Sequence, residues 1–198
     1  MAFKRYIPVE SISELTINRL SVYLRCLQQL EHEGGTTISS QELADRFHLN
    51  SAQIRKDLAY FGEFGIRGVG YNVTQLREHL VNILGLHEER RVLMVGAGNL
   101  GTALSHYSGF NTGGFRIVAI LDSDPHKLGK RVPGGLTVES VVDLAQIVKE
   151  RNGVQAVLNF APAQLKGHPE VKLKNVDLKI NLELLSFFLT HAARMASV

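Results

Sequence analysis

A chain of 198 residues, 44% hydrophobic and 21% charged, has the make-up of an ordinary globular protein of one or two domains. Its single cysteine, Cys26, excludes an intramolecular disulfide and suits a reducing cytoplasm. No apolar run reaches the roughly 18 residues of a membrane span, and "MAFKRYIPVESISEL" lacks the apolar core of a signal peptide. The net charge of +3 is uneven. Residues 1–90 carry 10 Lys/Arg against 11 Asp/Glu, and residues 91–198 carry 12 against 8. Any nucleic-acid footprint in the first half must therefore come from the placement of individual cations.

In chain order, Ile17, Leu20, Leu24, Leu27 and Leu30 recur at helical spacing and predict a helix with one buried face. Gly34 or Gly35 ends it. "SSQELADRFHLNSAQIRKDLAYFG" reads as two short helices, with Ser39 or Ser40 capping the first and Asn50 or Ser51 the second. "EFGIRGVGYNV" alternates glycines with Ile66, Val69, Tyr71 and Val73, which predicts a small β-hairpin. A linking helix, roughly 74–84, leads to a domain boundary near 85–91.

The segment 40–58 meets the demands of a DNA-reading helix-turn-helix. Ala44 allows the helices to cross closely, and Leu43, Phe47, Leu49, Ile54 and Leu58 fall where they share a core. The second helix would then expose Ser51, Gln53, Arg55, Lys56 and Tyr60 to bases and phosphates. Arg67, between glycines in the hairpin, is placed for a phosphate or a narrow minor groove. Asp57 and Glu63 dilute the positive charge. A helical interaction module that binds no DNA fits the same pattern.

The second half changes period. "RVLMVGA" is a continuous apolar run, as in a strand buried on both faces. A helix over about 99–107, a strand "FRIVAILD", a helix "VESVVDLAQIVKE", a strand "VQAVLNF" and a last apolar helix "LELLSFFLTHAARM" follow. Buried strands alternating with helices predict a parallel α/β sheet. Gly96, Gly98 and Gly101 form a G-x-G-x-x-G between strand and helix, the context a dinucleotide fingerprint requires. Gly96 would make the tight turn, Gly98 would admit the pyrophosphate and Gly101 would let helix and strand pack, with Ala97, Asn99 and Leu100 completing the loop. Asp122, 21 residues after Gly101, can accept the adenosine ribose hydroxyls. With Asp124 following and no arginine adjacent, NAD(H) is favoured over NADP(H). Coenzyme A, another nucleotide or a ligand-free glycine turn remain alternatives.

Catalysis has little support. The eight histidines form no H-x-x-x-H metal pair, and His106 reads best as a structural residue. Only 97 residues follow Gly101, too few for the rest of the sheet and a substrate domain. The residues point to no catalytic group, no metal and no enzyme.

A DNA-reading half joined to an NAD-reading half resembles the Rex family of redox-sensing transcriptional repressors. The resemblance rests on "RKDLAYFGEFGIRGVGYNV", "VGAGNLGTAL", "DSDPHKLGK", "LNFAP" and "NVDL", and covers most of the chain. It implies a winged helix-turn-helix domain (1–85), a shortened Rossmann-like NAD(H)-binding domain (86–180) and a dimerisation helix (181–198) exchanged between subunits. It also implies a homodimer on palindromic operator DNA, released when NADH, the effector, rises relative to NAD⁺. The apolar Leu184, Leu185, Phe187, Phe188 and Leu189 agree with a subunit interface, as they would with a helix buried within the chain. The resemblance suggests that Arg25 and Asp177 pair across the dimer and that Tyr107 stands near the nicotinamide. One departure is plain: some two dozen residues, a strand and a helix, are missing where "NGVQ" runs into "AVLNFAP", between Gly153 and Ala156. Their loss would narrow the sheet and open one side of the nicotinamide site. The competing readings are a small NAD-dependent oxidoreductase and a coenzyme A or nucleotide-binding interaction module.

Overall fold

The computed structural model describes residues 12–151, 153–165 and 171–195. Residues 1–11, on which the signal-peptide expectation rests, and the final residues 196–198 lie outside them. The chain divides into two compact units, Met1–Glu88 and Glu89–Val198.

The first unit opens with α1 (Glu14–His32), capped by the Ser13 hydroxyl, which accepts from Thr16 N–H at 3.2 Å. Its buried face is Leu20, Tyr23, Leu24, Leu27 and Leu30. Gly34, at φ +82°, turns the chain left-handed so that Gly35 N–H reaches the Leu30 carbonyl at 2.8 Å, a helix end open to glycine. β1 (Thr37–Ile38) precedes α2 (Ser40–Phe47), whose start is a reciprocal capping box. Ser39 Oγ accepts from Glu42 N–H at 3.1 Å, and Glu42 Oε2 accepts from Ser39 N–H at 2.8 Å. α3 (Ser51–Ala59) is capped by Asn50, which accepts from Gln53 N–H at 2.9 Å. β2 (Tyr71–Asn72) pairs antiparallel with β1, and α4 (Val73–Ile83) closes the unit. Leu20, Leu27, Leu43, Ile54 and Leu80 are fully buried together, each contributing about 1.5–3 kcal/mol by removal from water.

The predicted hairpin over "EFGIRGVGYNV" forms only in part. Ile66 and Gly70 close a tight turn (Gly70 N–H to Ile66 O, 2.9 Å), and Tyr71–Asn72 turns away to pair with Thr37–Ile38. Gly65, Gly68 and Gly70 all have positive φ, a backbone that curls instead of extending into two strands.

The second unit is a parallel sheet ordered β5-β4-β3-β6-β7: β3 (Arg90–Val95), β4 (Phe115–Asp122), β5 (Val138–Ser140), β6 (Val154–Asn159) and β7 (Lys172–Asn175). β3 lies at the centre, with Val92–Val95 buried. From β3 the chain builds outward through β4 and β5, then crosses to build β6 and β7 on the other side. The switch point thus falls between β3 and β6, where open α/β sheets bind ligands. The helix predicted over 99–107 is two pieces, α5 (Asn99–Leu104) and α6 (Ser108–Thr112). The helix predicted for "VESVVDLAQIVKE" begins as strand β5, paired Ile120↔Val138, passes through a 3₁₀ turn at Val141–Asp143 and becomes α7 (Leu144–Glu150). β7 was not anticipated. α8 (Leu178–Met195) ends the described chain, with Leu182, Leu184, Leu185, Phe187, Phe188 and Leu189 all more than half exposed.

Candidate functional sites

In the first unit, the crossing of α2 and α3 is lined by Leu43, Ala44, Ile54 and Leu58, all buried, with Phe47 and Leu49 packed beside them. This turns Arg55, Lys56 and Tyr60 outward, while Ser51 and Gln53 are half-buried. Arg55 Nη1 donates to Ser40 Oγ at 2.7 Å, so its guanidinium is steadied before any partner arrives. Arg67 is exposed at the tip of the Ile66–Gly70 turn, flanked by exposed Ile66 and Val69.

Asp57, read from sequence as a surface charge diluting the basic helix, is fully buried. It accepts from Arg19 Nε at 2.5 Å and Nη2 at 2.8 Å, from Tyr23 Oη at 2.9 Å and from Gln53 Nε2 at 2.7 Å. Burial pushes its pKa up, but the donors Arg19, Gln53 and Tyr23 outweigh burial and hold it below the usual carboxylate range. Tyr23 is pushed well up by burial and by its bond to Asp57. The Arg19 guanidinium is held more firmly protonated, first by its hydrogen bond to Asp57. The network fastens α3 to α1 through the Asp57 carboxylate that α3 carries on its inner face and the Arg19 guanidinium of α1. It also draws in Gln53, one of the predicted base-reading residues. The partner of Asp57 lies 38 positions earlier, so local pattern gave no sign of it.

In the second unit, the three fingerprint glycines each meet a distinct steric condition. Gly96 has φ +101°. A Cβ on Gly101 would run into the Gly96 carbonyl oxygen, whereas one on Gly98 would meet nothing within 4 Å. The loop is therefore closed on the sheet side by Gly101 and open at Gly98, a cradle suited to a pyrophosphate. Ala97 is buried, while Gly98, Asn99 and Leu100 are exposed.

Asp122, at the carboxyl end of β4 and only 7% exposed, fastens this loop. It accepts from Ala97 N–H at 2.7 Å, Asp124 N–H at 2.9 Å and Lys127 Nζ at 2.9 Å. Burial raises its pKa, yet the bonds from Asp124, Lys127 and Ala97 prevail and hold it below the usual carboxylate range. An ionised carboxylate has about four acceptor sites, so one remains for a ribose hydroxyl. Lys127 is the residue that sequence reasoning missed. Its ammonium beside Asp122 and Asp124 weakens the repulsion that this acidic pair was expected to exert on a 2′-phosphate.

Tyr107 caps α6, is 54% exposed and meets Phe110 edge-on at 5.4 Å. His106 is exposed, with Nδ1 3.1 Å from the Thr102 carbonyl. Among the described residues, no three His, Cys, Asp or Glu side chains converge as a metal site requires. Arg25 is exposed on α1 in the first unit. Asp177 is exposed in the second, where it accepts from Lys179 N–H at 2.8 Å.

Residues 11–59 match the family described as the N-terminus of putative DNA-binding proteins, and residues 87–166 match the CoA binding domain family. The redox-sensing transcriptional repressor Rex of Desulfitobacterium hafniense is 47% identical over 199 residues, covering 89% of this chain and 94% of that one. Rex of Desulforamulus reducens is 44% identical with the same coverage. A crystal structure of RSP with β-NAD⁺ and operator DNA matches with TM-score 0.80 at 30% identity, covering 98% of this chain and 97% of that one. One of RSP with β-NADH matches with TM-score 0.75 at 30% identity, covering 94% and 98%. The Desulfitobacterium alignment runs over 199 positions but takes up only 89% of the 198 residues here, so about two dozen positions filled in that relative are empty in this chain.

Proposed function

The chain belongs to the Rex family of redox-sensing transcriptional repressors, and from that premise we propose that it is a homodimeric repressor of palindromic operators, released when NADH rises relative to NAD⁺. The observation that carries this reading is the coexistence in one chain of an outward-facing basic helix and a glycine loop fastened to a buried carboxylate. The relatives are named as transcriptional repressors, and among the described residues no catalytic constellation comes together, which supports reading the nucleotide as signal and not as reagent.

Residues 1–85 form the DNA-binding domain, 86–180 the NAD(H)-binding domain and 181–198 the dimerisation helix. On DNA, Ser51, Arg55, Lys56, Tyr60 and Arg67 make the contacts, with Gln53 held by Asp57 until a base edge competes for it. On the nucleotide, Gly98 with Asn99 and Leu100 receives the pyrophosphate. Gly96, Ala97 and Gly101 shape the loop, Asp122 takes the ribose and Tyr107 stands by the nicotinamide. Arg25 and Asp177 pair across the dimer and carry the signal between the units. RSP, a Rex-family repressor, has been crystallised with β-NAD⁺ and operator DNA and with β-NADH, which supports carrying both ligands over to this chain. A repressor that meets operator DNA works in the cytoplasm, and no helix among the described residues is long and apolar enough to cross a membrane.

The match to the CoA binding domain over residues 87–166 favours a second reading, in which the same cradle takes coenzyme A. Titration of the purified protein with NADH, NAD⁺ and coenzyme A separates the two, with NADH absorbance followed in parallel. The repressor reading predicts tight NADH binding without turnover. Preference for coenzyme A supports the second reading, and consumption of NADH with a small carbonyl compound supports an oxidoreductase.

A further inference from the structure

Gln53 lies in the first turn of α3, where its backbone N–H is held by Asn50 Oδ1 at 2.9 Å. The N-terminal residues of a recognition helix are the ones that meet base edges. Its side chain is half-buried, and Nε2 donates to Asp57 Oδ1 at 2.7 Å. An ionised carboxylate only accepts hydrogen bonds. The nitrogen end of the Gln53 amide must therefore face Asp57, and the oxygen end cannot take its place.

Asp57 in turn is fixed from α1. Arg19 grips both of its oxygens, with Nε 2.5 Å from Oδ2 and Nη2 2.8 Å from Oδ1, and Tyr23 Oη donates to Oδ2 at 2.9 Å. Arg19 is itself steadied, since Nη2 also donates to Thr16 Oγ1 at 3.2 Å. Together with Gln53 these make four bonds to Asp57, about the full acceptor capacity of a carboxylate. The same donors hold its pKa below the usual range despite burial, so at neutral pH it stays an acceptor. Asp57 occupies one Nε2 hydrogen of Gln53, which leaves Oε1 and the second hydrogen to a partner.

An acceptor beside a donor matches one base edge in the major groove. Adenine offers its N6 amino group to Oε1 and its N7 to the second Nε2 hydrogen. Guanine presents two acceptors, O6 and N7, and a phosphate presents acceptors alone, so either would leave Oε1 without a donor. We propose that Asp57, fixed by Arg19 and Tyr23 of α1, is a positioning residue that commits Gln53 to reading adenine. Asp57 keeps the first Nε2 hydrogen while adenine competes for the second. The inference rests on the DNA-binding reading above, and it makes a base preference of α3 depend on a helix that lies behind it.

The probe is a labelled duplex that the wild-type protein selects from a pool of randomised palindromic half-sites, with binding read by fluorescence anisotropy. Replacing its adenines one position at a time by 7-deazaadenine, which lacks the N7 acceptor, should weaken wild-type binding about tenfold at one position of each half-site. Gln53→Met should erase that loss. With a G·C pair at the same position the wild-type protein should again lose about tenfold. Asp57→Asn can turn a donor towards Gln53 and so reverse its amide, and it should bind the two duplexes alike. A merely structural defect in Asp57→Asn would weaken both duplexes equally and preserve the wild-type ratio, which would overturn the proposal. The absence of any sensitive adenine, or a loss that persists in Gln53→Met, would overturn it as well. If Asp57→Asn does not fold, the Gln53 side-chain amide of the wild-type protein decides the matter by NMR. On binding the duplex, one Nε2 hydrogen should stay on Asp57 while the second becomes protected from exchange, and release of the first would contradict the proposal. If the wild-type protein selects no duplex at all, the proposal falls together with the DNA-binding reading beneath it, which separates that failure from the others.

Discussion

Two buried carboxylates organise the two units, and each does so by being ionised where water is scarce. Asp57 has four hydrogen bonds from three side chains. Replacing it with Asn leaves Arg19 and Tyr23 without their acceptor and should cost about 2–3 kcal/mol of stability at pH 7, at or below the low end for breaking a buried pair, because Arg19 is about a third exposed. The folded-state pKa of Asp57 is lowered. Its contribution is therefore full above the unfolded value of about 4 and is lost as pH falls through the lower folded value. Denaturant unfolding of wild type and Asp57→Asn should differ most near neutrality and converge in strong acid; a gap that stays constant with pH would deny the carboxylate this role. Asp122 is tested through ligand affinity. Asp122→Ala removes the proposed ribose acceptor and the tether to Ala97 N–H, and NADH fluorescence should report binding weaker by about tenfold or more.

At the scale of elements, the phosphate loop predicts opposite results for two glycines in one motif. Gly98→Val enters open space at an ordinary extended backbone (φ −80°), so thermal stability should hold while NADH binding is lost to the new side chain. Gly101→Val meets the Gly96 carbonyl and should destabilise the unit itself, read as a lower melting temperature with or without ligand. How much of this was legible depended on how local each signal is. The caps at Ser39 and Asn50, each one of two neighbouring candidates, and the glycine turn between strand and helix are written within a few residues, and they form; the return bond from Glu42 that completes the capping box was not read. β5 was misread because "VESVVDLAQIVKE" carries a helical period throughout, and only pairing with β4 draws Val138–Ser140 into the sheet. β7 is the charged edge "KLKN", with no apolar run to betray it. The Asp57 network joins residues distant in sequence, so no window along the chain could reveal it.

For the whole molecule, α8 presents Leu182, Leu184, Leu185, Phe187, Phe188 and Leu189 to solvent in the single chain, an apolar surface that a second copy is expected to cover. Leu185→Glu combined with Phe188→Glu should shift the protein from dimer to monomer in analytical ultracentrifugation and weaken binding to a palindromic duplex, because two half-sites would no longer be held together. A double variant that stays dimeric would remove α8 from the interface. The coupling of the two units is the central claim, and linkage requires it to be reciprocal: if NADH lowers affinity for DNA, DNA must lower affinity for NADH by the same factor. The most direct measurement is fluorescence anisotropy of a labelled palindromic duplex bound to the protein, with NADH or NAD⁺ titrated in and a scrambled duplex as control. Release by NADH at concentrations where NAD⁺ does little is the predicted result. Specific binding that neither nucleotide disturbs would contradict it.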